Sequence, residues 1–92
     1  MFRAQMTNSG DSWCLYVVLL GVEHWPQRVW PSGHGVPTLV ERAQALADMG
    51  FEIAPAEWWS WGEYGADPVD PAGHAALYAS VQVIRVSLVA SR

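Results

Sequence analysis

The residues of this chain that could do chemistry are three histidines, one cysteine and nine acids among 92 positions. His24, His34 and His74 each stand among glycines, prolines and turn formers, so all three read as loop residues. A zinc site needs about four ligands, or three and a water, at defined geometry. Cys14, Glu23 and Asp70 could complete a set, but neither His-x-x-x-His nor Cys-x-x-Cys occurs. Cys14 lies inside an apolar run, where burial raises a thiol pKa and suppresses the nucleophilic thiolate. It reads as a small core residue.

The acids fare no better. On one unbroken strand Glu57 and Glu63 would share a face about 20 Å apart. Paired carboxylates that flank a glycosidic bond stand within about 10 Å of one another. Asp67-Pro68 and Asp70-Pro71 read as turn initiators. His74 beside Asp70 is the one combination that could serve as an acid–base pair near neutral pH. Gly33-His34-Gly35 is too short to cradle a phosphate, and Ser9, Ser12, Ser60 and Ser87 lack the setting of an activated nucleophile. No catalytic set, no metal set and no cofactor motif is legible, and the chain reads as a non-enzyme.

Tryptophan is where the sequence departs from the ordinary. Six of the 92 residues are tryptophan: Trp13, Trp25, Trp30 and the run Trp58-Trp59-Ser60-Trp61, which leads into Glu63 and Tyr64. Successive strand residues point to opposite faces, so one strand would send Trp58 one way and Trp59 with Trp61 the other. A core this small cannot take all of them, and a buried indole N–H needs a partner. Trp13 and one of Trp58 or Trp59 read as core. Trp, Tyr and Arg dominate interface hot spots and also line apolar pockets. The candidate surface is therefore Trp25, Arg28, Trp30, Trp58, Trp59, Trp61, Glu63 and Tyr64. In a pocket version Trp30, Trp59, Trp61 and Tyr64 form the wall, with Arg28 or Glu63 as polar anchor.

Composition points the same way. Apolar residues make up 51% of the chain and charged residues 15%, against a usual charged share of about 25%. A surface so poor in charge is expected to be partly hidden in an oligomer or complex. The formal net charge is −4, and the five basic residues are all arginine and scattered, so nucleic-acid binding is not expected. One cysteine cannot form an internal disulfide, which suits the cytoplasm. No N-terminal signal pattern is present, and the apolar run 13–22 falls short of the ~20 residues that span a bilayer. The length fits a single domain over residues 1–92.

The elements that would position these residues follow from periodicity. Residues 2–7 alternate apolar and polar, a half-buried strand, and a turn-rich stretch leads into a second strand that is apolar on both faces at 13–20. Prolines and glycines exclude a long helix over 21–36 and leave room for a short edge strand at 28–30. One helix spans 38–49: Thr38 and Glu41 form a capping box, Leu39, Val40, Ala43, Leu46, Ala47 and Met49 supply its apolar stripe, and Gly50 ends it. Extended segments follow at 51–54, 57–64 and 75–89, the last with a bulge expected near Val83-Ile84, where the alternation slips. The fold expected is α+β: an antiparallel sheet of four to five strands with one helix packed on one face, in the order ββ(β)αββ.

Several stretches together carry a resemblance. Ala4-Gln5-Met6 with Asn8-Ser9-Gly10, then Trp13-x-Leu15-Tyr16-Val17, Val36-Pro37-Thr38, Leu46-Ala47-x-Met49-Gly50-Phe51-Glu52 and the run from Glu57 to Trp61 are similar to a family of small uncharacterised proteins from Streptomyces and its relatives. The resemblance runs from about residue 3 to residue 86. It implies a stand-alone cytoplasmic actinobacterial protein and transfers no activity or catalytic residue. The expected role is a non-enzymatic interaction module that associates with itself, as a homodimer, or with another protein through a Trp-rich sheet face or edge. Binding of a small apolar or aromatic ligand or a peptide is the alternative, and an enzyme using a loop histidine with a carboxylate is the remote one.

Overall fold

The computed structural model describes residues 1–9, 11–65 and 75–86; for Ser9, Tyr64, Gly65, Ala75 and Ala76 it describes the backbone alone. Six strands and one helix follow one another as β1 (Phe2–Ser9), β2 (Ser12–Val18), β3 (Gln27–Trp30), α1 (Leu39–Met49), β4 (Phe51–Ile53), β5 (Ser60–Gly65) and β6 (Ala75–Arg85). All pairings are antiparallel, in the order β3-β2-β1-β6-β4, with β5 also on β6. The fold is α+β, as read from the sequence, with βββαβββ in place of the shorter order.

The added strand comes from a split. β4 and β5 lie end to end along the same edge of β6, so six strands fill five positions across the sheet. Ile53 faces Val83 and Ser60 faces Ser80: seven steps on one strand match three on the other. The four extra residues form a large bulge over 54–59. The ladder runs one residue into it, where the Ala54 N–H donates to the Gln82 carbonyl at 3.0 Å. β6 itself runs in unbroken register against β1 from Tyr78 to Val83 and against β4 from Val83 to Arg85. The bulge expected within this strand thus belongs to its neighbour. Arg85 looked like a slip in phase because it is charged, yet it keeps its core-side position with its guanidinium 5.2 Å and 4.9 Å from the Phe2 and Phe51 ring centres.

Period two sorts the sheet into two faces. Ala4 and Met6 of β1, Trp13, Leu15 and Val17 of β2, Trp30 of β3, and Ala79, Val81 and Val83 of β6 point to the helix side and are buried. Arg3, Gln5, Thr7, Cys14, Tyr16, Val18, Tyr78, Ser80, Gln82 and Ile84 alternate with them on the other side. Burial of the apolar set at roughly 25 cal/mol per Å² is the main force that holds the register, because a slip of one residue would turn it to solvent.

The helix starts and stops as its signals say. Glu41 accepts the Thr38 N–H at 2.8 Å, Thr38 accepts the Glu41 N–H at 3.1 Å, and Gly50 takes φ +92° while its N–H caps the Ala47 carbonyl. Its buried face differs from the expected stripe. Arg42, Ala45 and Leu46 face the sheet, and Leu39, Val40, Ala43 and Ala47 are exposed. A hydropathy stripe places arginine outside; here aromatic rings receive its guanidinium and a backbone carbonyl its Nε–H, and that rotates the helix.

Candidate functional site

The tryptophans divide between the two faces. Strands β2, β3 and β5 with the bulge before β5 gather four of them on the helix side. Trp13 and Trp30 stand opposite one another across β2 and β3. Trp13 also meets Trp61 edge to face at 6.0 Å, reaching across β1 and β6. Arg42 hangs from the helix over this group, 5.1 Å from the Trp59 ring centre and 5.4 Å from that of Trp61. Its Nε–H donates to the Pro37 carbonyl at 2.9 Å, and only 7% of the residue is exposed. Burial pushes the guanidinium pKa below its ordinary value. Among the described residues the buried Trp59 indole N–H has no hydrogen-bond partner, a cost of about 1–3 kcal/mol that packing and the cation above must offset.

Two members of the candidate surface thus support the core. Trp30 is 3% exposed and carries Arg28 5.4 Å from its ring centre, while Trp59 packs on the core from β5's entrance. Trp61, on the same side, remains 46% exposed, and Glu63 is exposed opposite Leu77. Tyr64 pairs with Ala76 through its backbone, and its side chain lies outside the described residues.

The second face, which we term the open face, carries no described helix or strand across it. Trp25 and Trp58 belong here. Trp25, 41% exposed, is fixed by its indole N–H to the Leu19 carbonyl at 2.8 Å and stacks on Tyr16 at 5.9 Å and 20°. These rings line a cavity of about 580 Å³ with Cys14, Gln27 and the loop 22–24. The Cys14 thiol donates to Gln27 Oε1 at 3.6 Å, and burial pushes its pKa up, which fits a packing role and not a nucleophile. Tyr16 and Gln27 were missing from the sequence-derived candidates. For Tyr16 the signal was a strand apolar on both faces, which marks a second surface; Gln27, in the Pro- and Gly-rich stretch 21–36, carried none.

Trp58 comes from the bulge. It is 82% exposed, next to Ala56, which holds φ +65°. For a residue with a Cβ this left-handed conformation costs about 1 kcal/mol. Below Trp58 lies a cavity of about 260 Å³ lined by Arg3, Glu57, Ser60, Ser80 and Gln82. Arg3 Nη1 donates to Ser80 Oγ at 3.2 Å. Further along β5, Gly62 lies under the Tyr78 ring so closely that a Cβ there would collide with it.

The histidines find ordinary work. His34 Nε2 bonds Glu41 Oε2 at 2.8 Å and its Nδ1 lies 3.2 Å from the Gly35 carbonyl, which pins the loop to the helix start. The Gly35 carbonyl, then the Glu41 carboxylate, hold the His34 pKa above its ordinary value. The Thr38 N–H first, and His34 after it, hold that of Glu41 below. His24 sits exposed 3.9 Å from Glu23. Among the described residues no three His, Cys, Asp or Glu side chains gather as a metal site. His74, Asp67, Asp70 and Ser87 lie outside the described residues.

A family model matches residues 1–91, that of a family of unknown function, DUF6303. No curated protein and no solved structure matches the chain.

Proposed function

We propose that this chain, which belongs to the DUF6303 family of unknown function, is a non-enzymatic protein-interaction module that docks through the open face of its sheet. One observation carries the reading. The described strand positions of that face hold two charges, Arg3 and Glu52; the others interleave Tyr16, Val18, Val29, Tyr78 and Ile84 with the uncharged polar Gln5, Thr7, Gln27, Ser60, Ser80 and Gln82, and Trp25 and Trp58 stand at its two ends. A sheet face meant for water alternates with charged and strongly polar residues. The occupant we favour is a second copy: two charges of opposite sign bring no like-charge cluster together, and no other surface need be supplied.

The arginines bear on what else could bind. Arg28, Arg42 and Arg85 each lie over aromatic rings of their own chain, so the described residues present no basic stripe for a phosphate backbone. No described helix is long and apolar enough to cross a membrane. We place the protein in the actinobacterial cytoplasm, on the resemblance and the single cysteine.

Light scattering after size exclusion, at high and low concentration, tests the proposal. The expected mass is near twice 10.2 kDa, returning to that of one chain in Val29→Glu, which puts a charge at an exposed position of the open face. A single-chain mass at every concentration would overturn self-association. A dimer indifferent to Val29→Glu, Tyr16→Glu and Ile84→Glu alike would move the contact elsewhere.

A further inference from the structure

We infer that the pocket beneath Trp58 is a binding site for a small zwitterion of amino-acid size, with its carboxylate on Arg3, its ammonium on Glu57 and its side chain against the Trp58 ring. This goes beyond the docking role proposed above; because Arg3 and Trp58 belong to the same face, the site is read in the Val29→Glu variant, in which docking is lost.

Four features meet at this place. The first is the chain path: a bulge with four extra residues lifts residues 55–59 off the β6 ladder, and bulges commonly serve to re-aim side chains. The second is strain. Ala56 holds a left-handed backbone conformation inside the bulge, where a glycine would sit at no steric cost. The third is an opposite pair that does not pair. Arg3 and Glu57 line one cavity, yet among the described residues the Arg3 side chain bonds Ser80 alone and the Glu57 carboxylate forms no ion pair. A guanidinium has five N–H donors in a fork, so most remain for a carboxylate. The fourth is Trp58 itself. The other arginine–aromatic contacts of this protein are satisfied from within, whereas this ring is the most exposed of the described tryptophans and carries no cation of its own.

The size selects the ligand. At about 260 Å³ the cavity is smaller than the ~300–1,000 Å³ of drug-sized sites, and its hydroxyls and amide (Ser60, Ser80, Gln82) suit a compact polar molecule. Opposite charges on one rim favour a ligand that carries both. A simple anion would face Glu57, and a simple cation would face Arg3.

The test uses three probes that share a ring: L-phenylalanine, 3-phenylpropionate, which lacks the ammonium, and phenethylamine, which lacks the carboxylate. Each is titrated into the ¹⁵N-labelled Val29→Glu protein while the indole and backbone N–H signals are followed. Phenylalanine is expected to shift the Trp58 indole and the amides around Glu57 and Ser80 saturably, leaving the Trp25 indole in place. The other two should bind roughly tenfold more weakly, the usual worth of one charge-assisted contact. Glu57→Gln should abolish the advantage over phenylpropionate, Arg3→Gln that over phenethylamine, and Trp58→Ala all three responses. These positions are exposed, so the variants should fold. No saturable shift with phenylalanine, equal binding of the three probes, or binding untouched by Trp58→Ala would each overturn the site. A dimer through the open face with no response here would sink this inference and leave the docking role standing; a monomer that binds phenylalanine would do the reverse.

Discussion

The two faces of this sheet use the same residue types to opposite ends. On the helix side, Trp13, Trp30, Trp59 and Trp61 are layered with one another and with Arg42, and the rings close a core that a helix of 11 residues does not cover alone. On the open side, Trp25 and Trp58 stand at the ends of a face with hardly any charge. The difference shows that tryptophan content does not measure available surface. What separates the two sets here is the cation: Arg28 lies over Trp30 and Arg42 over Trp59 and Trp61, whereas no described arginine lies over Trp25 or Trp58.

That comparison breaks most easily at the extremes. Trp30→Ala should cost about 3–5 kcal/mol, as for large core truncations, while Trp58→Ala should stay within about 0.5 kcal/mol. Urea unfolding of both variants reads the contrast, and equal losses would erase the distinction between faces. Arg42→Leu comes next. It removes two cation–ring contacts and leaves the Pro37 carbonyl unpaired, for an expected loss of about 2 kcal/mol, and Arg42→Lys should not restore it because ammonium lacks the planar fork. Thr38→Ala should cost about 1 kcal/mol through the lost cap.

A pH dependence sharpens the same picture at smaller amplitude. The folded pKa of His34 is raised, so its contribution is fully present below the unfolded value of about 6.5 and lost as pH rises through the folded one. The folded pKa of Glu41 is lowered, so its contribution is present above about 4.3 and lost as pH falls through the folded one. Their joint stabilisation should peak between those unfolded values and weaken with added salt; His34→Ala should remove the loss at higher pH and keep the part of Glu41 that rests on the Thr38 N–H, as followed by thermal unfolding across pH. The smallest effect is expected from Ala56→Gly: relief of the left-handed strain against greater freedom of the unfolded chain leaves a gain of about 0.5 kcal/mol.

Much of the fold was legible, for reasons that can be located. Period two in residues 2–7 and 13–18, and the Thr38–Glu41 box with Gly50, are local signals that tertiary context did not override. The helix stripe was legible only in part, because Arg42 gains its place from indoles distant in sequence. The bulge was misassigned to β6, since the sequence shows a charge at Arg85 but not the phenylalanines beneath it. The candidate site was legible as a list and not as a place. Period two separates Trp58 from Trp59 and Trp61, yet which side the helix takes depends on a register that one residue would invert. Tyr16 escaped notice because its strand neighbours looked like core from either side, and Gln27 because it joins Tyr16 only through the pairing of β2 with β3.

The most direct test of the two-face account is ¹⁹F NMR of protein labelled with 5-fluorotryptophan, whose six resonances report each indole separately as concentration is raised. The account expects the Trp25 signal to move with association while those of Trp13, Trp30 and Trp59 stay fixed. Movement of Trp61 with Trp25 unchanged would place the contact on the helix side and contradict it.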